Sequence, residues 1–169
     1  MAAKFIFLLC IIILTSLTSL PHFRTKSHKR YILTSKRILK KIRSFNGSAK
    51  EARILAYLRK INPYVFEELL LTVFEEQGYH IKRNPRYSND GGIDGIIFLN
   101  NRKFLIQAKR YKTLINGQHV EKFTNKVSNM NANGGFFIHT GRTSKVNYNM
   151  YRHSNITILS GEKLIKFIS

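Results

Sequence analysis

The sequence predicts an α/β domain built on a mixed sheet, and three observations carry that expectation. From residue 62 onward the apolar spacing alternates between helix-like and strand-like, in the order helix, three strands, helix, strand, helix, strand, helix. Asn100-Asn101 separates two apolar runs, as a two-residue type I′ hairpin turn would, because Asn tolerates positive φ. The composition, 43% hydrophobic and 12% aromatic over 169 residues, is that of a chain able to bury a core. A tight hairpin followed by single strands alternating with helices requires both antiparallel and parallel strand neighbours, with helices covering the sheet.

Two segments precede this core, so the chain divides into residues 1–23, 24–60 and 61–169. Phe5 to Leu20 carries no charge. As a helix it would span about 24 Å, a little short of a ~30 Å hydrocarbon core. Residues 1–23 are therefore expected as an N-terminal hydrophobic helix that anchors the chain in a membrane by a single pass. A signal peptide, with Lys4 as its charged end and Thr15 to Ser19 as its polar tail, is the alternative. A buried helix of the domain is the third reading. Arg24, Lys26, Lys29, Arg30, Lys36, Arg37, Lys40, Lys41 and Arg43 follow the segment, against Lys4 before it. The positive-inside rule then puts the downstream domain in the cytoplasm; signal cleavage would instead export it. Residues 24–60 are expected as a basic, partly helical linker, with Ile38, Leu39 and Ile42, then Ile54, Leu55 and Leu58, at helical spacing around an Asn46-Gly47-Ser48 break.

In the third segment, Asn62 and Pro63 open a helix as cap and first residue. Phe66, Leu69, Leu70, Val73 and Phe74 form its stripe, and Gly78 ends it. Tyr79 to Arg83 reads as a strand and Asn84 to Asn89 as a polar loop. The hairpin strands are Ile93 to Leu99 and Arg102 to Lys109. Gln118 to Met130 is helical, with Val120, Phe123, Val127 and Met130 on one face. Phe136 to Ile138 is a short buried strand, about Lys145 to His153 a weakly patterned helix, Ile156 to Leu159 a last strand, and Gly161 to Ile168 a closing helix.

Charge narrows the partners. With 29 basic and 9 acidic residues the formal net charge is +20, which favours a polyanion: nucleic acid or an anionic membrane face. The lone cysteine, Cys10, excludes an internal disulfide and a cysteine zinc site, and the histidines show no metal-ligand spacing.

The chemistry gathers on the hairpin. With Asn100-Asn101 as the loop, Asp94 faces Gln107, and Lys109 shares that face two residues on. Phe104, Ile106 and Ala108 take the opposite, apolar face. Both Asp residues of the chain, Asp90 and Asp94, fall in this stretch. A carboxylate, an amide oxygen and an ammonium suit metal-assisted phosphodiester cleavage. Asp94 would be the main ligand of a hard cation, Gln107 a neutral one, and Lys109 would steady the nucleophile or the charge building on phosphorus. Arg83, Arg86 and Tyr87 before the hairpin, and Arg110, Tyr111 and Lys112 after it, suit contacts to a DNA backbone.

Phe66-Glu67, Gly78-Tyr79, Gly92-Ile93-Asp94 and Gln107-Ala108-Lys109-Arg110-Tyr111, in that order, resemble the Mrr-type restriction endonucleases of the PD-(D/E)xK nuclease superfamily, in the variant where Gln replaces the second acidic residue. The resemblance covers about residues 63 to 168. It implies a restriction-endonuclease-like αβββαβ core and a Mg²⁺-dependent DNA endonuclease of the type IV restriction kind, Mn²⁺ being able to substitute. It also implies DNA as partner, a homodimer as one way to cut a duplex, and a share of the metal site for Glu67. The chain departs from the pattern at His139-Thr140, where relatives tend to carry paired Thr, which bears on substrate choice. A non-catalytic, membrane-tethered nucleic-acid-binding module of the same fold, and a junction-specific nuclease, are the competing readings.

Overall fold

A computed structural model describes residues 26–84, 87 and 92–169. The elements are α1 (Lys26–Arg43), α2 (Lys50–Leu58), α3 (Pro63–Glu76), β1 (His80–Arg83), β2 (Gly95–Leu99), β3 (Arg102–Lys109), α4 (Gly117–Asn129), β4 (Gly134–His139), α5 (Lys145–Tyr151), β5 (Ile156–Leu159) and α6 (Gly161–Ile168). The strands form one sheet in the order β1-β2-β3-β4-β5. The pairs β1–β2 and β2–β3 are antiparallel, and β3–β4 and β4–β5 are parallel. This is the expected mixed α/β sheet in a restriction-endonuclease-like arrangement. The stretch expected as an N-terminal hydrophobic helix lies outside the described residues. Among the described residues no helix is long and apolar enough to cross a membrane.

The hairpin turn forms for the predicted reason: Asn100 and Asn101 sit at φ 48° and 61°, and Leu99 pairs with Arg102. The Asn62 side chain accepts the Tyr64 N–H at 2.9 Å, and Pro63 follows in the first turn of α3. This helix is more buried than its stripe suggested. Glu68, Leu71 and Thr72 are buried together with the apolar set, because α3 is wedged between the sheet and α1. A Cβ added at Gly95 would come within 2.5 Å of a Leu71 methyl, so the missing side chain lets α3 lie close on β2.

Two cores flank the sheet. One joins Ile38, Leu39 and Ile42 of α1, Ile54 and Leu58 of α2, the α3 stripe and Leu164, Ile165 and Ile168 of α6 to Ile97, Ile106 and Ile138. The other joins Val120, Phe123 and Val127 of α4 to Leu105, Phe137, Ile156 and Ile158. The face of β3 that carries Gln107 is therefore apolar at Leu105 and covered by α4; both faces of the sheet are packed, not only the expected one. The basic stretch after residue 24 was expected as a partly helical linker. Its helix α1 is instead docked along α3, with Ile42 only 1% exposed.

Candidate active site at the end of the hairpin

Regular pairing of β2 with β3 ends at Gly95 opposite Ile106. Asp94 stands just beyond the strand rather than inside it, so it is not the ladder partner of Gln107 that the turn count implied. Two bonds hold it on β3: its N–H donates to the Ile106 carbonyl at 2.8 Å, and its Oδ2 accepts the Ala108 N–H at 2.6 Å. The carboxylate is thus fixed between the Gln107 and Lys109 positions by main-chain geometry alone. Burial pushes Asp94 up to about 6, against the pull of the Ala108 N–H and of the Lys109 and Lys126 charges.

Glu67 approaches from α3. Burial, with Asp94 and then Glu68 as negative neighbours, pushes its carboxyl up to about 8, opposed by Lys109 and Arg110. Glu67, Asp94 and Lys109 therefore share one electrostatic neighbourhood, although they come from three elements. Two carboxyl groups that both resist ionisation next to cations make a site poised to gain affinity for a divalent ion once they lose their protons.

Gln107 is 6% exposed, and its Oε1 is buried with no hydrogen-bond partner among the described residues. Leaving a buried carbonyl oxygen unanswered costs about 1–3 kcal/mol, so its isolation is informative. Gly92, at φ +84°, lies against the same amide: a Cβ there would fall 1.9 Å from Nε2. Glycine at this position lets the loop close over the amide. Two carboxylates and one free amide oxygen are a donor set that a hard cation accepts, since Mg²⁺ takes few protein oxygens. Among the described residues no group of three His, Cys, Asp or Glu converges, so the amide is needed for a third protein ligand.

Lys109 ends β3 in register with His139 of β4. It lines a cleft of about 250 Å³ together with Gly92, Gln107, His119, Lys122 and Lys126. The last three come from α4 and were missed in the sequence. The signal was there: basic side chains at 119, 122 and 126 recur at the spacing of one helix face.

The expected DNA-contacting residues fare differently. Arg86 lies outside the described residues. Arg110 donates to the carbonyls of Arg59, at 3.2 Å, and Ile61. The Tyr111 hydroxyl bonds His119 Nδ1; Lys112 is exposed. Arg83 and Tyr87 do not face solvent as backbone contacts would. Arg83 Nε donates to Glu68 Oε2 at 2.9 Å and its terminal nitrogens to both Glu75 oxygens, while the Tyr87 hydroxyl donates to Glu68 Oε1 at 2.9 Å. His139 is fully buried, bonded through Nε2 to Thr143 Oγ1 at 3.0 Å, and burial pushes it down to about 4. It is a core histidine whose burial disfavours the charged form.

The backbone is similar to two restriction enzymes. The MspJI restriction endonuclease, in complex with a 27-mer oligonucleotide, matches over 72% of this chain and 32% of its own, with TM-score 0.56 and 23% identity. The DNA modification-dependent restriction endonuclease AspBHI matches over 73% of this chain and 36% of its own, with TM-score 0.58 and 14% identity. At these identities the likeness is one of fold, and the chain spans about a third of either enzyme. No curated protein matches the chain. The family model described as restriction endonuclease, of the Mrr catalytic type, matches residues 58–168, from the end of α2 through α6, and by that match the chain belongs to the Mrr-type restriction endonuclease family.

Proposed function

We propose that this protein is a DNA endonuclease that hydrolyses phosphodiester bonds with the help of a divalent cation. The observation that carries the reading is the buried Oε1 of Gln107, without a hydrogen-bond partner among the described residues, on the strand end that carries Lys109 and holds Asp94, with Glu67 in the electrostatic neighbourhood of Asp94 and Lys109. Family membership supports the reaction class. Mg²⁺, with Mn²⁺ as substitute, would be held by Asp94, Glu67 and the Gln107 amide oxygen, and would supply Lewis acidity to the reacting phosphate. Lys109 donates to a non-bridging oxygen as negative charge grows there. A water oxygen bonds to phosphorus as the bond to the leaving sugar oxygen breaks, and that oxygen takes up a proton. Gln107 contributes no charge of its own, so affinity for the cation rests on the ionised forms of Asp94 and Glu67, and the cation competes with protons for both.

Plasmid cleavage by the full chain, in Mg²⁺ or Mn²⁺ against EDTA, tests this beside Asp94→Asn and Lys109→Ala. The amide oxygen introduced by Asp94→Asn would still accept the Ala108 N–H, so the fold is expected to persist while cleavage falls about a hundred- to a thousandfold in either variant. Cleavage at the parental rate in Asp94→Asn would remove that residue from the chemistry. DNA bound but never cut, across both metals, would make the protein a binding module. A tether for this activity is supported by the uncharged Phe5 to Leu20 stretch and the basic residues behind it. A reporter fused after Ser169 is expected to read cytoplasmic, and an extracytoplasmic signal would reverse the orientation.

A further inference from the structure

Two of the helices that carry basic residues, α1 and α4, lie on opposite faces of the sheet, and α4 adjoins the site. The helix α1 exposes Lys29, Arg30, Lys36, Arg37, Lys40 and Lys41, but it covers the α3 face of the sheet. The helix α4 covers the opposite face. From it Lys122 and Lys126 line the cleft that also holds Gln107 and Lys109.

We propose that Lys122 and Lys126 are the phosphate-gripping wall of this cleft, holding the nucleic-acid backbone next to the reacting phosphate whether or not a divalent cation is bound. The inference rests on the nuclease reading for the identity of the ligand, but not on any cleavage. Four observations carry it. Lys122 and Lys126 are one helical turn apart and face one cavity, so they can meet one phosphate or two successive ones. Among the described residues neither makes an ion pair, so their charge is not spent inside the protein. Both lysines share the cleft with Gln107 and Lys109 at the end of β3, and the Lys126 charge reaches Asp94. Among the described residues the cleft lining contains no carboxylate: Gly92, Gln107, His119 and Phe123 complete it. A pocket with three ammonium groups and a neutral amide takes an anion. At about 250 Å³ it has room for a phosphodiester rather than a single water. His119 is held by Tyr111 and shapes the wall instead of gripping the ligand.

The test measures binding and not cutting. The full chain is titrated with a fluorescent duplex oligonucleotide of arbitrary sequence in EDTA, over a series of salt concentrations, beside Lys122→Gln/Lys126→Gln and Lys36→Gln/Lys40→Gln. Both pairs remove the same charge from exposed or half-exposed helix positions, so neither should unfold the protein, and circular dichroism checks that. The α4 pair is expected to weaken binding at least about tenfold at 0.1 M salt and to reduce the slope of log affinity against log salt by about two, one for each lost phosphate contact. The α1 pair is expected to change affinity by less than about threefold. Parental affinity and slope in the α4 pair would overturn the inference. Equal losses in the two pairs would also overturn it, since bulk charge would then suffice, and a larger loss in the α1 pair would move the nucleic acid to the other face. Loss of binding in the α4 pair, with a parental protein that never cuts, would keep the wall and sink the nuclease. Intact binding in the α4 pair with metal-dependent cutting would do the reverse.

Discussion

Glu67 and Glu68 are neighbours on α3 and have opposite fates. Glu68 is 1% exposed, and both of its carboxylate oxygens are answered: Oε1 by His28 Nε2 at 2.8 Å and the Tyr87 hydroxyl at 2.9 Å, Oε2 by Arg83 Nε at 2.9 Å. Its partners come from α1, β1 and the loop after it, so one carboxylate ties three segments together. Glu67, about a hundred degrees further round the helix, is half-buried and bonds to no described residue. Its oxygens, like Gln107 Oε1, have no hydrogen-bond partner among the described residues. The difference separates a polar group that ties the fold together, with every oxygen partnered, from one that no described residue satisfies and that is therefore open to a ligand of the proposed kind.

The comparison can be broken most directly at Glu68. Glu68→Ala takes from Arg83 its buried counter-charge, leaving only the half-exposed Glu75, and takes from His28 Nε2 a hydrogen-bond partner, and is expected to cost about 3–5 kcal/mol in urea unfolding. A loss under about 1 kcal/mol would show that the network is solvated and that the contrast with Glu67 is not real. Next comes His139, which is buried like Glu68 but neutral. Its folded value near 4 lies below the ordinary 6.5, so the unfolded chain takes up the proton first. Stability is whole above pH 6.5 and drains away as the pH falls from 6.5 through 4, by about 3 kcal/mol in all. The difference in stability between the parent and His139→Gln, read by chemical unfolding at about pH 4 to 7, should show this slope, and a difference independent of pH would remove His139 as its source. The third test belongs to Glu67, whose half-exposed carboxyl is screened by solvent. Its folded value near 8 lies above the ordinary 4.5, so without a cation the protein loses stability as pH rises from 4.5 through 8. Glu67→Gln should flatten that fall in EDTA and cost nothing at about pH 8. A variant clearly less stable than the parent at that pH would make Glu67 a structural residue like its neighbour.

Much of this architecture was legible because its causes are local. The cap at Asn62, the Asn100-Asn101 turn and the spacing of Gln107 and Lys109 each act within a few residues, and the hairpin carried Asp94 to its place with them. The Glu68 clamp was not legible, because Glu68 and His28 stand 40 residues apart and nothing in the pattern of either segment names the other. For the same reason Arg83 and Tyr87 looked like surface groups free to meet DNA. The helix α1 was masked by its own charge: one narrow stripe of Ile38, Leu39 and Ile42 docks it, while its many lysines and arginines suggest a solvated linker. On α4 the apolar stripe drew attention from the lysines beside it, whose role depends on which strand end the helix covers. That is a property of the parallel β3–β4 crossover, and no spacing within the helix reports it.

The strand order of the sheet equals the order of the strands in the chain. Each strand therefore pairs with the one made just before it, and no strand has to wait for a distant partner strand or be threaded between two others. Folding can start at the β2–β3 hairpin and add one neighbour at a time, with small loop-closure cost at each step. During synthesis the groups that meet around Asp94 all lie between residues 67 and 109, so they emerge together. The lysines of α4 follow in the next crossover, before β4 is added to the edge. The sheet is thus extended outward from its own chemistry, with its later strands and closing helix laid down as support.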